Sequence, residues 1–249
     1  MAMTRGISVN LSKEVSLKRV ERLGGIAMPM KGFLRSFGAV ALVVGVLSAC
    51  ASGEGDQQRK DLVGAGEICD GIFSKDAARD LRYITGADEF LPFDIGDGTQ
   101  GTAKKVIDAH GSGGAASQKA DFDLCLVYKP GSDLSDVEVS YSYATAEDVA
   151  SRSEASYFVR YPLGRKALGH TEKAILYIEC VSPELPGSDK DPVYLRGEAR
   201  SRYEPDGDAE ALRKAHLTIL NSATLKLAQA LGCEKNAGLS PRPDLTPQT

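Results

Sequence analysis

Apolar and polar positions change period several times along this chain, and each change marks an element. Between Ser74 and Gly86 the apolar residues Ala77, Ala78, Leu81 and Ile84 recur on one helical face. Ser74 suits the N-cap, Gly86 suits the residue past the C-cap, and Phe73 can staple the entry. A weaker helical stretch follows from about Thr102 to Ala109, and then a loop of Gly, Ser and Ala over Gly111–Ser117. Phe122, Leu124, Leu126 and Tyr128 alternate, which predicts a strand over Asp121–Lys129. Pro130, Gly131, Ser132 and Asp133 supply turn chemistry, and Val137, Val139, Tyr141 and Tyr143 alternate again, so the two runs make an antiparallel hairpin. A short strand is expected at Tyr157–Tyr161, ended by Pro162-Leu163-Gly164.

Lys173–Val181 reads as a strand in which Ala174, Ile175, Leu176, Tyr177 and Ile178 run together, which predicts a central strand covered on both faces. Pro192–Tyr203 is its expected partner. Asp208–Leu231 reads as a long helix with Leu212, Ile219, Leu220, Ala223, Leu227 and Leu231 toward the core, closed by Gly232. Residues 234–249 hold three prolines and little apolar content, so a disordered tail is expected there. The order of helix, hairpin, strands and long helix predicts an α+β domain: a mostly antiparallel sheet with helices packed on one face.

The N-terminal region has a different grammar. Lys31 and Arg35 precede the apolar run Phe37–Leu47, then come Leu47-Ser48-Ala49-Cys50 and an abrupt polar stretch. A basic flank, about 7–15 apolar residues and small residues at the end make an export signal. The run falls short of the roughly 20 residues a membrane-spanning helix needs. Leu47-Ser48-Ala49-Cys50 resembles the lipobox of bacterial lipoproteins. That resemblance implies cleavage before Cys50 and lipidation of its sulfur, which would make Cys50 an attachment point to the membrane. Residues 28–49 are then the signal peptide and 50–66 a flexible tether. Residues 1–27 read as an extension outside the native protein, whose start would be Met28 or Met30.

Composition sharpens this picture once the signal is set aside. Seven of the 30 Lys and Arg and two of the 34 Asp and Glu precede Cys50, leaving 23 basic and 32 acidic side chains, a net of −9 over 200 residues. Such a charge disfavours nucleic acid and anionic headgroups as partners, and the length suits one domain, expected over 67–233. Apart from Cys50 the cysteines are Cys69, Cys125, Cys180 and Cys233. An even count in an exported chain implies disulfides, and four cysteines allow three pairings. The rival reading is metal binding, but no two of the four form a C-x-x-C pair. Chain geometry favours Cys69–Cys125 and Cys180–Cys233, because each joins a helix terminus to a strand it can pack on. Each bond would contribute about 2–4 kcal/mol.

A wider resemblance rests on a Cys before the first helix, a Cys in the hairpin, Tyr177-Ile178-Glu179-Cys180, Tyr194-Leu195-Arg196-Gly197 and a final helix ending Leu231-Gly232-Cys233. This arrangement resembles uncharacterised lipoproteins of actinobacteria, of the Streptomyces type. The resemblance implies fold and location and no activity. Relatives often carry a Trp near the hairpin cysteine, which this chain lacks.

Chemical motifs are sparse. There is no Gly-x-Ser-x-Gly and no His-Glu-x-x-His, and the glycine-rich stretches lack the strand–loop–helix context and Lys-Ser/Thr ending of a phosphate loop. Asp94–Thr99 places two carboxylates in a Gly-rich turn without EF-hand spacing, so a solvated loop outweighs a calcium site there. His110, His170 and His216 are far apart in sequence, and His216 on the long helix reads as a core histidine. Arg196, Glu198, Arg200 and Arg202 share one strand face, which reads as a solvated sheet face ahead of an anion site. Tyr141, Tyr143, Tyr157, Tyr161, Tyr177 and Tyr194 read as packing ahead of a ligand groove. No cofactor or metal is expected. The expected protein is a membrane-anchored exported lipoprotein on the extracytoplasmic face of the cell membrane. It would act as a binding or interaction module for an envelope ligand or protein. A cell-envelope hydrolase and a carrier of an apolar ligand are the alternatives.

Overall fold

Helix-forming and strand-forming segments of this chain meet across a single buried layer. The computed structural model describes residues 62–92, 96–112 and 121–248. The extension at 1–27, the signal at 28–49, Cys50, and the tether as far as residue 61 lie outside them. The elements in order are β1 (Val63–Gly64), a 3-10 turn (Cys69–Gly71), α1 (Lys75–Thr85), β2 (Glu89–Phe90), α2 (Gly98–Gly111), β3 (Asp121–Val127) and β4 (Val137–Ala144). There follow α3 (Ala146–Ala150), β5 (Val159–Tyr161), β6 (Lys166–Gly169), β7 (Lys173–Cys180), β8 (Val193–Ser201), α4 (Ala209–Ala230) and a second 3-10 turn (Glu234–Gly238).

Strands β3 to β8 form one fully antiparallel six-stranded sheet in the order β3-β4-β8-β7-β6-β5, and β1 pairs with β2 in a small ribbon. This is the α+β architecture that the alternation of patterns predicts. Alternation decides the faces. Val193, Leu195, Gly197, Ala199 and Ser201 of β8 point inward and are buried, while Tyr194, Arg196, Glu198 and Arg200 point out. The expected charged face on β8 is therefore present.

Helix α1 begins and ends where its caps dictate. Ser74 accepts from Ala77 N–H, and Gly86 closes the helix at φ 64° with its N–H on Arg82 O. Helix α4 starts at Asp208, whose side chain accepts from the backbone N–H of Glu210 and Ala211. It touches α1, α2 and the strands β6, β7 and β8. Along it Leu217, Ile219, Leu220, Ala223, Leu227 and Ala228 have no exposed surface. Burial of one such leucine is worth roughly 1.5–3 kcal/mol, so α4 supplies much of the core.

A close approach sets the register of that packing. Gly197 on β8 lies opposite Tyr141 on β4, and the Tyr141 ring lies over it, with Leu220 of α4 beside them. A Cβ at position 197 would stand 2.8 Å from Tyr141 Cε1 and 3.1 Å from Leu220 Cδ1. The Tyr141 hydroxyl pairs with Thr224 Oγ1 at 3.0 Å inside the same layer.

The cysteines pair as chain geometry favours. Cys69, in the turn before α1, is bonded to Cys125 of β3, and Cys180, ending β7, is bonded to Cys233 beyond α4. The four sulfurs are thereby committed to disulfides, which removes the metal-ligand alternative.

Several sequence expectations need correction. Helix α2 begins at Gly98, four residues before the expected start, because packing against β3 and α4 overrides the poor helix propensity of its glycines. Strand β6 has no counterpart in the expected elements. Its four residues are all buried, so it offers no alternation to read. The tether expected over 50–66 gives way to folded structure within the described residues, since β1 pairs with β2 and Ala65 is fully buried. The tail expected to be disordered over 234–249 runs along the domain as far as residue 248. Leu239 is buried, Leu245 packs on the core, Ser240 O accepts from Asn221 Nδ2, and Gln248 N–H bonds to Arg160 O on edge strand β5. Two leucines and a sheet edge suffice to hold a segment whose composition alone reads as free chain. Strand β7 is fully buried on the α4 side, but Tyr177 and Glu179 on the other side remain half-buried, so it is not covered throughout on both faces.

Replacing Gly197 by Ala is expected to cost about 1–3 kcal/mol through overpacking against Tyr141 and Leu220. Urea denaturation of Gly197→Ala measures it, and an unchanged midpoint would overturn the close-approach argument.

Candidate functional site

The residues that converge are drawn from three distant segments. The C-terminal end of α1, the turn between β3 and β4, and the segment after β8 enclose an open cavity of about 230 Å³. Its fixed part is Asp136, whose side chain is 6 % exposed. Asp136 accepts from Lys129 N–H at 2.8 Å and pairs with Lys129 Nζ at 3.2 Å. Lys129 Nζ also donates to Thr85 O at 3.3 Å, placing a cation at the negative end of α1. Asp136 main-chain groups hold the neighbours in turn: its N–H bonds to Val127 O and its C=O accepts from Arg202 N–H. Lys129 and Asp136 together thus link the hairpin turn, the end of α1 and the exit of β8.

The rim is aromatic and acidic. Tyr83 and Tyr203 line the cavity at 42 % and 69 % exposure, two of the four exposed large apolar side chains among the described residues. Glu204 and Asp206 complete the lining from the loop after β8. Gly207 brings the chain against Tyr83: at φ 149° it adopts a backbone conformation other residues rarely reach, and a Cβ there would collide with Tyr83 Oη.

Beneath this cavity lies a buried pair. Ser201, part of the lining, is 2.8 Å through Oγ from His216 Nε2, and His216 Nδ1 donates to Leu212 O at 2.9 Å. With Nδ1 carrying the proton, Nε2 accepts from the Ser201 hydroxyl. His216 is fully enclosed, and burial pushes its pKa down to about 4. The histidine expected in the core is there, with both nitrogens satisfied.

The remaining candidates are dispersed. His110 donates from Nε2 to Pro186 O at 3.0 Å, and the His170 ring stands edge-on to Tyr157 and Phe158. Of the Asp94–Thr99 loop, Asp97 is described, and its carboxylate pairs with Lys105 at 2.6 Å. Arg202 is used structurally, donating to Ser135 O at 2.7 Å, and Arg196 pairs with Glu198. The six tyrosines considered for a groove do not converge. Tyr141, Tyr143 and Tyr161 point into the helix-side layer, Tyr177 and Tyr194 lie on the opposite sheet face, and Tyr157 sits exposed beside His170. The tyrosines at the cavity are Tyr83 and Tyr203, which no periodic pattern distinguishes.

The sheet face away from the helices is partly roofed by residues 145–158. Lys166 Nζ donates to Asp148 O and Ser151 O and pairs with Glu154 at 2.9 Å, while Arg160 pairs with Glu154 at 2.5 Å. Burial works to raise the Glu154 pKa, but hydrogen bonds from Arg160 and Lys166 outweigh it and bring it to about 2. The side between sheet and helices is filled by fully buried residues such as Leu81, Val106, Leu176, Ile178, Leu195 and Leu220, which leaves the apolar-carrier reading without support there. Among the described residues no helix is long and apolar enough to cross a membrane.

Comparison with protein-family models, with curated proteins and with solved structures finds no match to this chain.

The buried histidine makes stability depend on pH. Its folded pKa lies below the unfolded 6.5, so the unfolded chain binds the extra proton between the two values. Stability is therefore full above about pH 6.5 and falls as pH drops toward 4, by about 3 kcal/mol from this group. Between pH 7 and 4 the unfolding free energy of the wild type, from urea denaturation, should fall by about 3 kcal/mol more than that of His216→Gln. Parallel pH profiles would contradict the placement.

Proposed function

We propose that this chain is an exported lipoprotein, held by a lipid on Cys50 at the extracytoplasmic face of a cell membrane. Its disulfide-closed domain serves there as a binding or interaction module. The observation that supports the location best is the pairing of all four remaining cysteines. Such bonds persist in oxidising compartments and are rare in a reducing cytosol. The Leu47–Cys50 run supplies the route out and the anchor, and stable anchoring takes more than a single acyl chain. The resemblance to uncharacterised actinobacterial lipoproteins belongs to this proposal and adds no activity to it.

Support for binding comes from the cavity between Tyr83 and Tyr203. Its floor is fixed by the Lys129–Asp136 pair, while its aromatic rim is left open to solvent. A net of −9 after cleavage favours partners that are neutral or cationic.

Cells fed a palmitate analogue test the anchor. The wild type should carry label and sediment with membranes, and Cys50→Ser should do neither. An unlabelled wild type would remove the lipoprotein reading.

An envelope hydrolase is the second reading, favoured by one contact: the Ser201 hydroxyl against His216 Nε2 at the cavity floor. The Ser201 N–H is bonded to Glu172 O, and the imidazole is a weak base at a pKa of about 4. A fluorophosphonate probe is therefore expected to leave Ser201 unmodified. Labelling that disappears in Ser201→Ala would establish the hydrolase instead.

A further inference from the structure

We infer that the cavity between Tyr83 and Tyr203 takes an organic ammonium ion, a primary or quaternary amine on a small organic body. This names the ligand class for the binding module proposed above and rests on that reading.

The first support is shape. Single exposed apolar side chains are ordinary on a protein surface. Here two of the four most exposed ones, Tyr83 and Tyr203, flank the same cavity. A tyrosine ring face attracts a cation within about 6 Å of its centre, and quaternary ammonium groups are commonly held in this way. At about 230 Å³ the cavity is smaller than the roughly 300–1,000 Å³ of sites that enclose drug-sized ligands, so it suits a compact body.

Charge supplies the second support and selects the sign. The ionisable carboxylates and amines of the lining are Lys129, Asp136, Glu204 and Asp206, one positive and three negative. Lys129 is already matched by Asp136 and by Thr85 O. Glu204 and Asp206 have no ion-pair partner among the described residues, which leaves a net of −2 at the rim. Acidic side chains alone would describe a solvated loop. Set beside two exposed tyrosines that line the same cavity, they complete the two parts of an ammonium site: aromatic surface for the organic cation and a counter-charge.

The third support is rigidity. Lys129 and Asp136 tie the three walls together, and the close approach of Gly207 fixes Tyr83, so ligand binding does not have to order the floor. A neutral sugar could also stack on tyrosine, but it would leave both rim carboxylates unused.

The test uses the full oxidised chain carrying Cys50→Ser, so that no lipid confuses the readout. Choline, cadaverine and glucose are titrated separately and followed by ligand-observed NMR. Choline and cadaverine should bind saturably and glucose should not. Tyr203→Ala and the double variant Glu204→Gln/Asp206→Asn should each weaken amine binding about three- to tenfold. Raising the salt should weaken it further. Vesicles of phosphatidylcholine form a second arm. Sedimentation that depends on Tyr203 assigns the ammonium to a lipid headgroup, whereas binding of the free amines alone assigns it to a soluble or side-chain amine. Equal binding of glucose, no amine binding at millimolar concentration, or amine binding that both variants leave unchanged would overturn the inference. None of those outcomes touches the palmitate test, so the ligand class and the membrane anchor fail separately.

Discussion

The packing of α4 against the sheet is the constraint on which the rest of the domain depends. This helix meets α1, α2 and three strands, and Leu217, Ile219, Leu220, Ala223 and Thr224 at its centre have no contact with solvent. Such packing tolerates little variation, because protein interiors are as dense as organic crystals. Gly197 shows how tight the fit is. The strand that runs under the middle of α4 has no side chain where the Tyr141 ring and Leu220 need the space. The Tyr141 hydroxyl, carried into that apolar layer, finds Thr224 on α4, so the only polar atom of the ring is satisfied. Burial pushes the phenol pKa upward, which keeps it neutral at any physiological pH.

The two ends of this central packing are secured by different means. At the C-terminal end, the disulfide from Cys180 to Cys233 ties the exit of α4 to β7, and the Ser182 hydroxyl donates to Leu231 O beside it. At the N-terminal end there is no covalent tie. Asp208 caps the helix, Ser201 meets His216, and Lys129, paired with Asp136, holds the hairpin turn to α1 through Thr85 O. The cavity lies at this non-covalent end. The sheet edges are partly covered: Leu91 and Asp97 bond to β3 and its extension, and Gln248 bonds to β5. Each such bond occupies an edge group that could otherwise pair with another strand.

How legible this was in the sequence depended on whether an element satisfies its own pattern. Helix α1 carries its caps and stripe within thirteen residues and β4 alternates cleanly, so both could be read directly; β3 follows its pattern only to Leu124, where a bulge buries Cys125 and Val127 in place of Leu126 and Tyr128. The disulfide pairing followed from placing those elements. Strand β6 escaped because Lys166 is buried by pairing with Glu154, which removes the polar position that alternation needs. Helix α2 escaped in part because its glycines read as loop while its packing partners lie elsewhere in the chain. The cavity escaped altogether. Tyr83, Lys129, Asp136 and Tyr203 belong to three segments with no common motif, and only the antiparallel sheet brings them together. What the sequence offered instead, the Arg196–Arg202 strip, sits on the far face, where Arg196 pairs with Glu198 and Arg202 is held by Ser135.

On the lipoprotein reading, the path of the chain into the domain bears on how the cavity meets the membrane. The fold begins at β1, which pairs with β2, and the next residue after β2, Leu91, bonds to Tyr128 O beside Lys129. The first described strand is therefore linked, through β2 and Leu91, to the hairpin that carries Lys129. From Cys50 to residue 62 a fully extended chain reaches at most about 40 Å, and a flexible one much less on average. A lipid on Cys50 would hold the cavity within a few tens of ångströms of the bilayer surface. The acidic rim would resist contact with anionic headgroups, so the lipid and the rim would act in opposite directions. The tether would then limit how far the site strays from the membrane, while charge repulsion opposes its contact with anionic lipid.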